Sequence, residues 1–395
     1  MPGAGGTGEG GGVMRQRILL MYITIRSGHY QAARAVEQEI RRLQPGAEIL
    51  TIDAFQYLNP ILARIVDRMY LSVIQKLPEL WDYLYDNPEV VRQSQRYRSL
   101  LHSYDSPRLQ GLLEEFQPEV IACTQAFPCG LVADYKQENK RTTPLIAVLT
   151  DFTPHAYWVH EQVDGFVVPC EKAAQWLTDR TVPASRVHTL GIPIAPIFRE
   201  GTNPTVVRRR LQMSPDLPAV LLMGGGQGLG PILEAVEGLD GIGPPFQLLV
   251  VTGSNESLYH RLIKRAPGMR HPLQVFGHVD FIADLMSVTT LIVTKPGGLT
   301  SSEALAKGLP IVALDPIPGQ EQRNCEYLLE SGAAVRLFDV EDAAFKVESL
   351  LKDRRRLQRM SRSARALRTG PRSIVIVETS TTASVTPMLT AKRRA

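Results

Sequence analysis

Two stretches of this sequence combine residue types that bind and move charge. Lys295-Pro296-Gly297-Gly298-Leu299-Thr300-Ser301-Ser302-Glu303 runs from the apolar segment Leu291 to Thr294 into the helical pattern Glu303 to Lys307. A strand, a glycine turn and a helix start in that order admit an anion to bare main-chain N–H groups, and the helix dipole favours negative charge. Thr300, Ser301 and Ser302 add hydroxyl donors, and Glu303, on the first turn, is placed to reach a ribose. The plainer reading is a capping box, T-x-x-E, in which Thr300 and Glu303 serve the helix start with no ligand. The second stretch is Ser27-Gly28-His29-Tyr30, directly before the helical run Gln31 to Ala35. A helix N-terminus depresses an imidazole pKa, which keeps His29 neutral and able to accept a proton as a general base. A turn histidine without a role is the alternative.

Two further loops follow apolar runs. Gly224-Gly225-Gly226-Gln227-Gly228 comes after Ala219 to Met223. Glycines there suit close approach of backbone to an anion, or only a tight turn. Asp315 to Asn324 follows Ile311 to Leu314 through a Pro-Gly turn. Gln320, Glu321 and Asn324 share one helix face by spacing and can line a sugar or nucleotide. No Asp-x-Asp stands beside an expected phosphate site, so no metal is expected and helix dipoles must supply the counter-charge. The acidic run Asp339 to Asp342 reads as a helix cap.

The elements that position these loops alternate strand and helix. Strands are predicted at Ile18 to Ile25, Glu48 to Ile52, Val120 to Cys123, Leu145 to Leu149 and Gly165 to Val168, with a helix at Gln31 to Leu43. A second series covers Ala219 to Met223, Gln247 to Thr252, Leu273 to Phe276, Thr290 to Val293 and Ile311 to Leu314. Alternation of this kind means parallel sheets covered by helices. The prolines of Leu190 to Phe198 break the rhythm and mark a boundary. The expected organisation is a Gly-rich N-terminus (1–13), an N-terminal domain (14–195), a C-terminal domain (196–370) with a basic helix over Lys352 to Arg368, and a tail without clear period (371–395). Two doubly wound halves place a cleft between the carboxyl ends of two sheets, where ligands bind.

The 395 residues suffice for two domains, each with its own core. No run of about 18 apolar residues exists, which excludes a transmembrane helix and a signal-peptide core and leads to the expectation of a cytoplasmic protein. Cys123, Cys129, Cys170 and Cys325 are scattered without a CxxC pair, so reduced thiols are expected. A formal net charge of +4 argues against a dedicated nucleic-acid binder, although basic clusters occur at Arg92, Arg96 and Arg98 and at Arg208 to Arg210.

With these residues in hand, the chain resembles the monogalactosyldiacylglycerol synthase and processive diacylglycerol beta-glucosyltransferase family, which is related to the lipid II N-acetylglucosaminyltransferase. The resemblance spans roughly Arg17 to Leu350. It rests on Ser27 to Ala33, Thr150 to Trp158, Val168 to Glu171, and Lys295 to Pro310 with Gln320-Glu321. It implies the GT-B fold, an α/β architecture of two Rossmann-like domains facing a central cleft. It also implies an inverting transfer of glucose or galactose from a UDP-sugar to a lipid, diacylglycerol foremost, by a peripheral enzyme on the cytoplasmic membrane.

The family pattern implies a donor site in the second half. Gly297, Gly298 and the hydroxyls after them, Thr300 and Ser301 among them, would meet the diphosphate; Lys295, Gly28, Gly225 and Gly226 are further candidates for donor binding. Glu303 would meet the ribose, Gln320 and Glu321 the sugar hydroxyls, and the Gly277 to Asp280 loop, through Gly277 and Val279, the uracil. His29, Asp151 and His155 are the catalytic candidates, with His29 the first choice for the base and the other two open as base or acceptor-orienting groups. The chain departs from some members at Gln125, often a histidine. A UDP-N-acetylglucosamine-dependent transferase and a UDP-sugar 2-epimerase are the alternative activities.

Leu58 to Tyr85 speaks independently for a membrane. Trp81, Tyr83 and Tyr85 are interleaved with Arg64, Arg68 and Lys76, the pattern of a segment lying on an anionic lipid surface. A core helix with snorkelling arginines has the same pattern.

Overall fold

The computed structural model describes residues 16–24, 27–58, 107–314, 316–317 and 319–367. The N-terminal extension, most of the Leu58 to Tyr85 stretch, the cluster at Arg92 to Arg98 and the tail from 368 onward lie outside the described residues.

Two six-stranded parallel sheets organise the chain. In the first, the order is β2-β1-β3-β4-β5-β6, with β1 Arg17–Tyr22, β2 Glu48–Asp53, β3 Val120–Cys123, β4 Leu145–Val148, β5 Gly165–Val168 and β6 Val187–Thr189. In the second it is β12-β11-β10-β7-β8-β9, with β7 Ala219–Met223, β8 Gln247–Val251, β9 Leu273–Phe276, β10 Leu291–Thr294, β11 Ile311–Ala313 and β12 Ala334–Arg336. Inner strands such as β3, β5, β7 and β10 are buried along their whole length without alternation because both faces of each sheet are covered. Along β1, Leu19 and Met21 enter one core cluster while Ile18 and Leu20 enter another. Along β7, Ala219, Leu221 and Met223 divide in the same way from Val220 and Leu222.

The strand order reverses between β1 and β3 in the first half and between β7 and β10 in the second. Loops leaving the carboxyl ends of strands at such a reversal diverge and open a crevice. His29 and Thr124 follow β1 and β3; the Gly224 loop and Lys295 follow β7 and β10. Both expected sites therefore fall where the topology makes room for a ligand.

A loop of the first half holds the two together. Phe152, past β4, is buried within the core cluster of the second half beside Ile192, Ile194 and Leu328. Its ring stacks on Tyr327 with centroids 4.6 Å apart. Full burial of such a ring contributes about 1.5–3 kcal/mol.

Several expectations shift by a residue or more. Helix Gly28–Leu43 begins at Gly28 rather than Gln31, capped by Ser27, whose hydroxyl oxygen accepts from the Tyr30 N–H at 3.2 Å. β6 and β12 are not among the predicted strands. Each is a three-residue edge strand, too short for a period to register. In the Arg208 to Arg210 cluster, two members serve the structure: Arg208 donates to the carbonyls of Ser214, Leu217 and Val288, and Arg210 pairs with Asp284. At Asp339 to Asp342, the Asp339 carboxylate accepts from the Asp342 N–H at 2.9 Å, beside the start of helix Asp342–Lys352.

Candidate active site

The cleft is built from two strand-to-helix turns that meet. A Cβ added to Gly28 would lie 3.5 Å from the Cβ of Leu299, and one added to Gly298 would collide with the Thr150 carbonyl oxygen. Glycine at 298 is therefore a condition of the two halves closing on each other.

On the first side, His29 sits in the opening turn of its helix. Its Nδ1 lies 2.9 Å from the Thr124 carbonyl oxygen and 2.8 Å from the Thr150 hydroxyl. A carbonyl oxygen only accepts, so Nδ1 carries the proton and Nε2 keeps its lone pair. Thr124 fixes the same turn from the other direction, its hydroxyl donating to the His29 carbonyl at 2.9 Å. The dense surroundings of the ring disfavour its charged form and pull its pKa down to about 4, against a smaller upward pull from the Thr124 carbonyl. Desolvation, ahead of the helix dipole expected from sequence, accounts for the neutral ring.

Asp151 is bound to the other half. Its carboxylate accepts from Gln320 Nε2 on one oxygen and from Asn324 Nδ2, at 2.9 Å, on the other. The Asn324 side-chain oxygen accepts in turn from the Phe152 N–H at 2.8 Å. Burial raises the Asp151 pKa to about 6 despite the two amides, which lower it. His155 precedes the short turn Ala156–Trp158, with its ring 5.8 Å from Tyr157 and 6.0 Å from Trp158. Burial, and then the neighbouring His29 and Arg323, lower its pKa to about 3.

On the second side, helix Gly298–Lys307 starts from Gly297 with no side-chain cap, so its first N–H groups are left to an outside acceptor. This corrects the capping-box reading. The helix begins at Gly298, Thr300 is its third residue and Glu303 lies in the second turn, not the first. Burial pushes the Glu303 carboxyl up to about 8. Thr300 is half-buried and Ser301 fully buried, its hydroxyl unpaired among the described residues. Lys295 is buried and pairs at 3.4 Å with Glu321, whose carboxylate also accepts from the Ile317 N–H at 2.9 Å. Burial raises the Glu321 pKa, opposed by Lys295.

The Gly224 loop divides between the two roles weighed for it. Side chains at Gly224 and Gly228 would strike the backbone of Leu229 and Thr252, and one at Gly253 would strike that of Gly226, so these glycines serve loop packing. Gly225, with φ of +70°, has open space where a Cβ would be; Gly226 is exposed. Gly277 and Val279 follow β9 at the sheet edge, Gly277 next to the Gly253 turn.

Sequence reasoning misses Thr124 and Thr150 as the groups that orient His29, and Asn324 as the residue that binds Asp151. Spacing puts Asn324 on the right helix face, but its partner lies 173 residues away. Gln125 is committed elsewhere: its side-chain oxygen caps helix Ala126–Glu138 at the Phe127 N–H. The four cysteines are buried free thiols. Among the described residues there is no cluster of metal-ligating side chains, and no helix is long and apolar enough to cross a membrane.

Comparison with known proteins converges on one family. The profile for monogalactosyldiacylglycerol (MGDG) synthase matches residues 29–194, and that for glycosyl transferases group 1 matches 227–367. The processive diacylglycerol beta-glucosyltransferase of Bacillus mycoides (strain KBAB4) is 31% identical over 357 residues, covering 90% of each chain. The protein of the same name from Bacillus thuringiensis (strain Al Hakam) is 30% identical over 357 residues, again 90% of each chain. Among solved structures, MurG of Acinetobacter baumannii aligns with a TM-score of 0.56 at 17% identity over 89% of this chain and 95% of that one. The UDP-GlcNAc 2-epimerase of Neisseria meningitidis bound to UDP-GlcNAc aligns with a TM-score of 0.52 at 12% identity over 88% and 94%. These likenesses establish the GT-B fold of two Rossmann-like halves, which transferase and epimerase share. At the level of sequence, the chain belongs to the glycosyltransferase family of monogalactosyldiacylglycerol synthase and the processive diacylglycerol beta-glucosyltransferases.

Proposed function

We propose that this enzyme transfers a hexose, glucose or galactose, from a UDP-sugar to the free hydroxyl of diacylglycerol at the cytoplasmic membrane surface, with inversion at the anomeric carbon. The observation that carries the reading is the meeting of the His29 turn with the uncapped helix start at Gly298. One side offers a neutral imidazole and the other a seat for a diphosphate.

Residues 196–370 take the donor in this scheme, and residues 14–195 face the acceptor. The diphosphate lies at Gly297, Gly298, Thr300 and Ser301 with Lys295 as counter-charge, so that helix dipole and ammonium meet the charge of the leaving group. Gly28, Gly225 and Gly226 leave room for it. Glu303 accepts from the ribose hydroxyls, the Gly277 and Val279 loop holds the uracil, and Gln320 and Glu321 bind sugar hydroxyls. Gln320 must then exchange Asp151 for the sugar.

The acceptor hydroxyl attacks the anomeric carbon from the face opposite the diphosphate. Its proton passes to His29 Nε2, the new C–O bond forms, and the bond to the diphosphate breaks with its electrons leaving on UDP. An α-linked donor gives a β-linked product. Asp151 and His155, across the same cleft, orient the acceptor.

The test is to incubate the protein with radiolabelled UDP-glucose or UDP-galactose and dispersed diacylglycerol, extract the lipid, and assign the anomer by proton NMR. Label in the organic phase with a β-linkage is expected. Conversion of the free donor with none in lipid would overturn the transferase reading.

A further inference from the structure

Helix Arg354–Ala366, of sequence RRRLQRMSRSARA, carries six arginines and no acid. That exceeds the formal net charge of the whole chain, +4. Its apolar side is committed: Leu357, Met360, Ala364 and the following Leu367 pack into the two core clusters of the second half. At 3.6 residues per turn this leaves Arg355, Arg359 and Arg362 on the opposite side, and all three are exposed. Arg354 and Arg365 flank the stripe and are exposed as well.

A solvated basic face ordinarily interleaves its cations with acids, and other helices of this chain do so. Helix Gly28–Leu43 pairs Arg34 and Arg41 with Glu37 and Arg42 with Glu39; helix Asp342–Lys352 pairs Lys352 with Glu348. On Arg354–Ala366, no guanidinium has an ion-pair partner among the described residues. The nearest acid in sequence, Asp353, is occupied as the helix cap, accepting from the Arg356 N–H at 2.9 Å. Like charges at i and i+4, as in Arg355 and Arg359, destabilise a helix in isolation, so the stripe suits a surface that neutralises it.

Exposed aromatic residues precede the stripe in sequence. Phe338 and Phe345 are 84% and 69% exposed, and Lys346 lies over the Phe338 ring at 5.4 Å. Cations beside exposed aromatic rings are the composition of an interfacial surface, where the charges meet headgroups and the rings enter the acyl boundary.

We propose that the arginine stripe Arg355-Arg359-Arg362 docks the second half on an anionic phospholipid surface. This rests on the lipid-directed function above and is separate from the aromatic stretch of the first half.

Sedimentation with vesicles tests it. The wild-type protein should pellet with vesicles of equal parts phosphatidylglycerol and phosphatidylcholine at 0.1 M salt, less so at 0.5 M, and not with phosphatidylcholine alone. The R355Q/R359Q/R362Q variant should partition roughly 100-fold more weakly, while the matching Arg→Lys variant keeps binding. Melting temperature and turnover on detergent-dispersed acceptor should stay at wild-type values, whereas turnover on anionic vesicles falls with binding. Equal partition of the glutamine variant and wild type would overturn the proposal. So would tighter wild-type binding to duplex DNA than to the vesicles at the same salt. Vesicle partition needs neither donor nor turnover, so its failure is distinguishable from failure of the transferase reading, which the labelled-sugar assay decides.

Discussion

The two halves share an architecture and turn their strand-order reversals toward each other, yet they make their parts of the cleft from different material. The first half presents titratable side chains, His29, Asp151 and His155, each taken out of water so that its pKa leaves the ordinary range for its type. The second presents chiefly main chain, a glycine turn and an uncapped helix start, together with the buried Lys295 and the carboxyls of Glu303 and Glu321. In the proposed scheme proton chemistry is thereby separated from phosphate binding, and substitutions on the two sides should fail in different kinetic parameters. The largest effect is expected at His29. His29→Ala should lower kcat by about 10²- to 10⁴-fold with the donor KM nearly unchanged. In the wild-type enzyme the ring must be neutral to take the proton, so kcat/KM falls as pH drops through about 4 and is level above the histidine's titration. A loss in donor KM as large as the loss in kcat would break the division.

Gly298 is where the two sides touch, and it gives the next largest effect. In Gly298→Ala the new methyl group meets the Thr150 carbonyl, and backbone cannot yield as a side chain can. The halves must part or the helix start must shift. Stability should fall by about 1–3 kcal/mol, read from urea unfolding, and turnover by about 10²-fold if the reacting groups separate by about 1 Å. Gly297→Ala is the control: a Cβ there meets nothing within 4 Å and φ is −67°, so stability should hold while donor binding weakens.

Lys295→Met addresses the second half alone. Removing an ammonium from a diphosphate forfeits about 1.5–3 kcal/mol, which is roughly 10- to 150-fold in donor KM. The kcat at saturating donor should change less. The same substitution strands Glu321, whose carboxyl burial already raises. A kcat defect with intact donor KM would mean that Lys295 meets only the charge developing on the departing diphosphate, and the split of kinetic parameters between the two halves would fail.

The same contrast explains what the sequence disclosed. Strands such as Val120–Cys123, Gly165–Val168 and Ala219–Met223 match their predicted spans because a parallel strand buried on both faces reads as a bounded apolar run. A glycine turn between strand and helix is equally local, so the turn at Gly297 and Gly298 is legible. Its helix start was misplaced because Gly298, Thr300, Ser301 and Ser302 are weak helix formers, and the apolar pattern registers only from Glu303. The first half depends on long-range pairs that no local pattern encodes. His29 finds Thr124 and Thr150 at separations of 95 and 121 residues, and Asp151 finds Asn324 at 173. These pairs arise only once the reversal of strand order brings the loops together.

Glu303 gives the smallest effect and the finest division, because it tests whether a titratable group in the second half serves binding alone. Burial raises its carboxyl from 4.5 to about 8. Between those values the folded chain holds a proton that the unfolded chain releases. That contribution to stability is fully present below 4.5 and is lost as pH rises through about 8. Glu303→Gln, neutral at every pH, removes the dependence: its melting temperature should match wild type near pH 4.5 and exceed it increasingly up to about pH 8 and above. Donor affinity should fall only about two- to tenfold, since the amide oxygen still accepts from a ribose hydroxyl and a single such bond is worth about 0.5–1.5 kcal/mol. A variant that melts below wild type at about pH 8 with unchanged donor affinity would return Glu303 to a purely structural role and remove it from the proposed donor contacts.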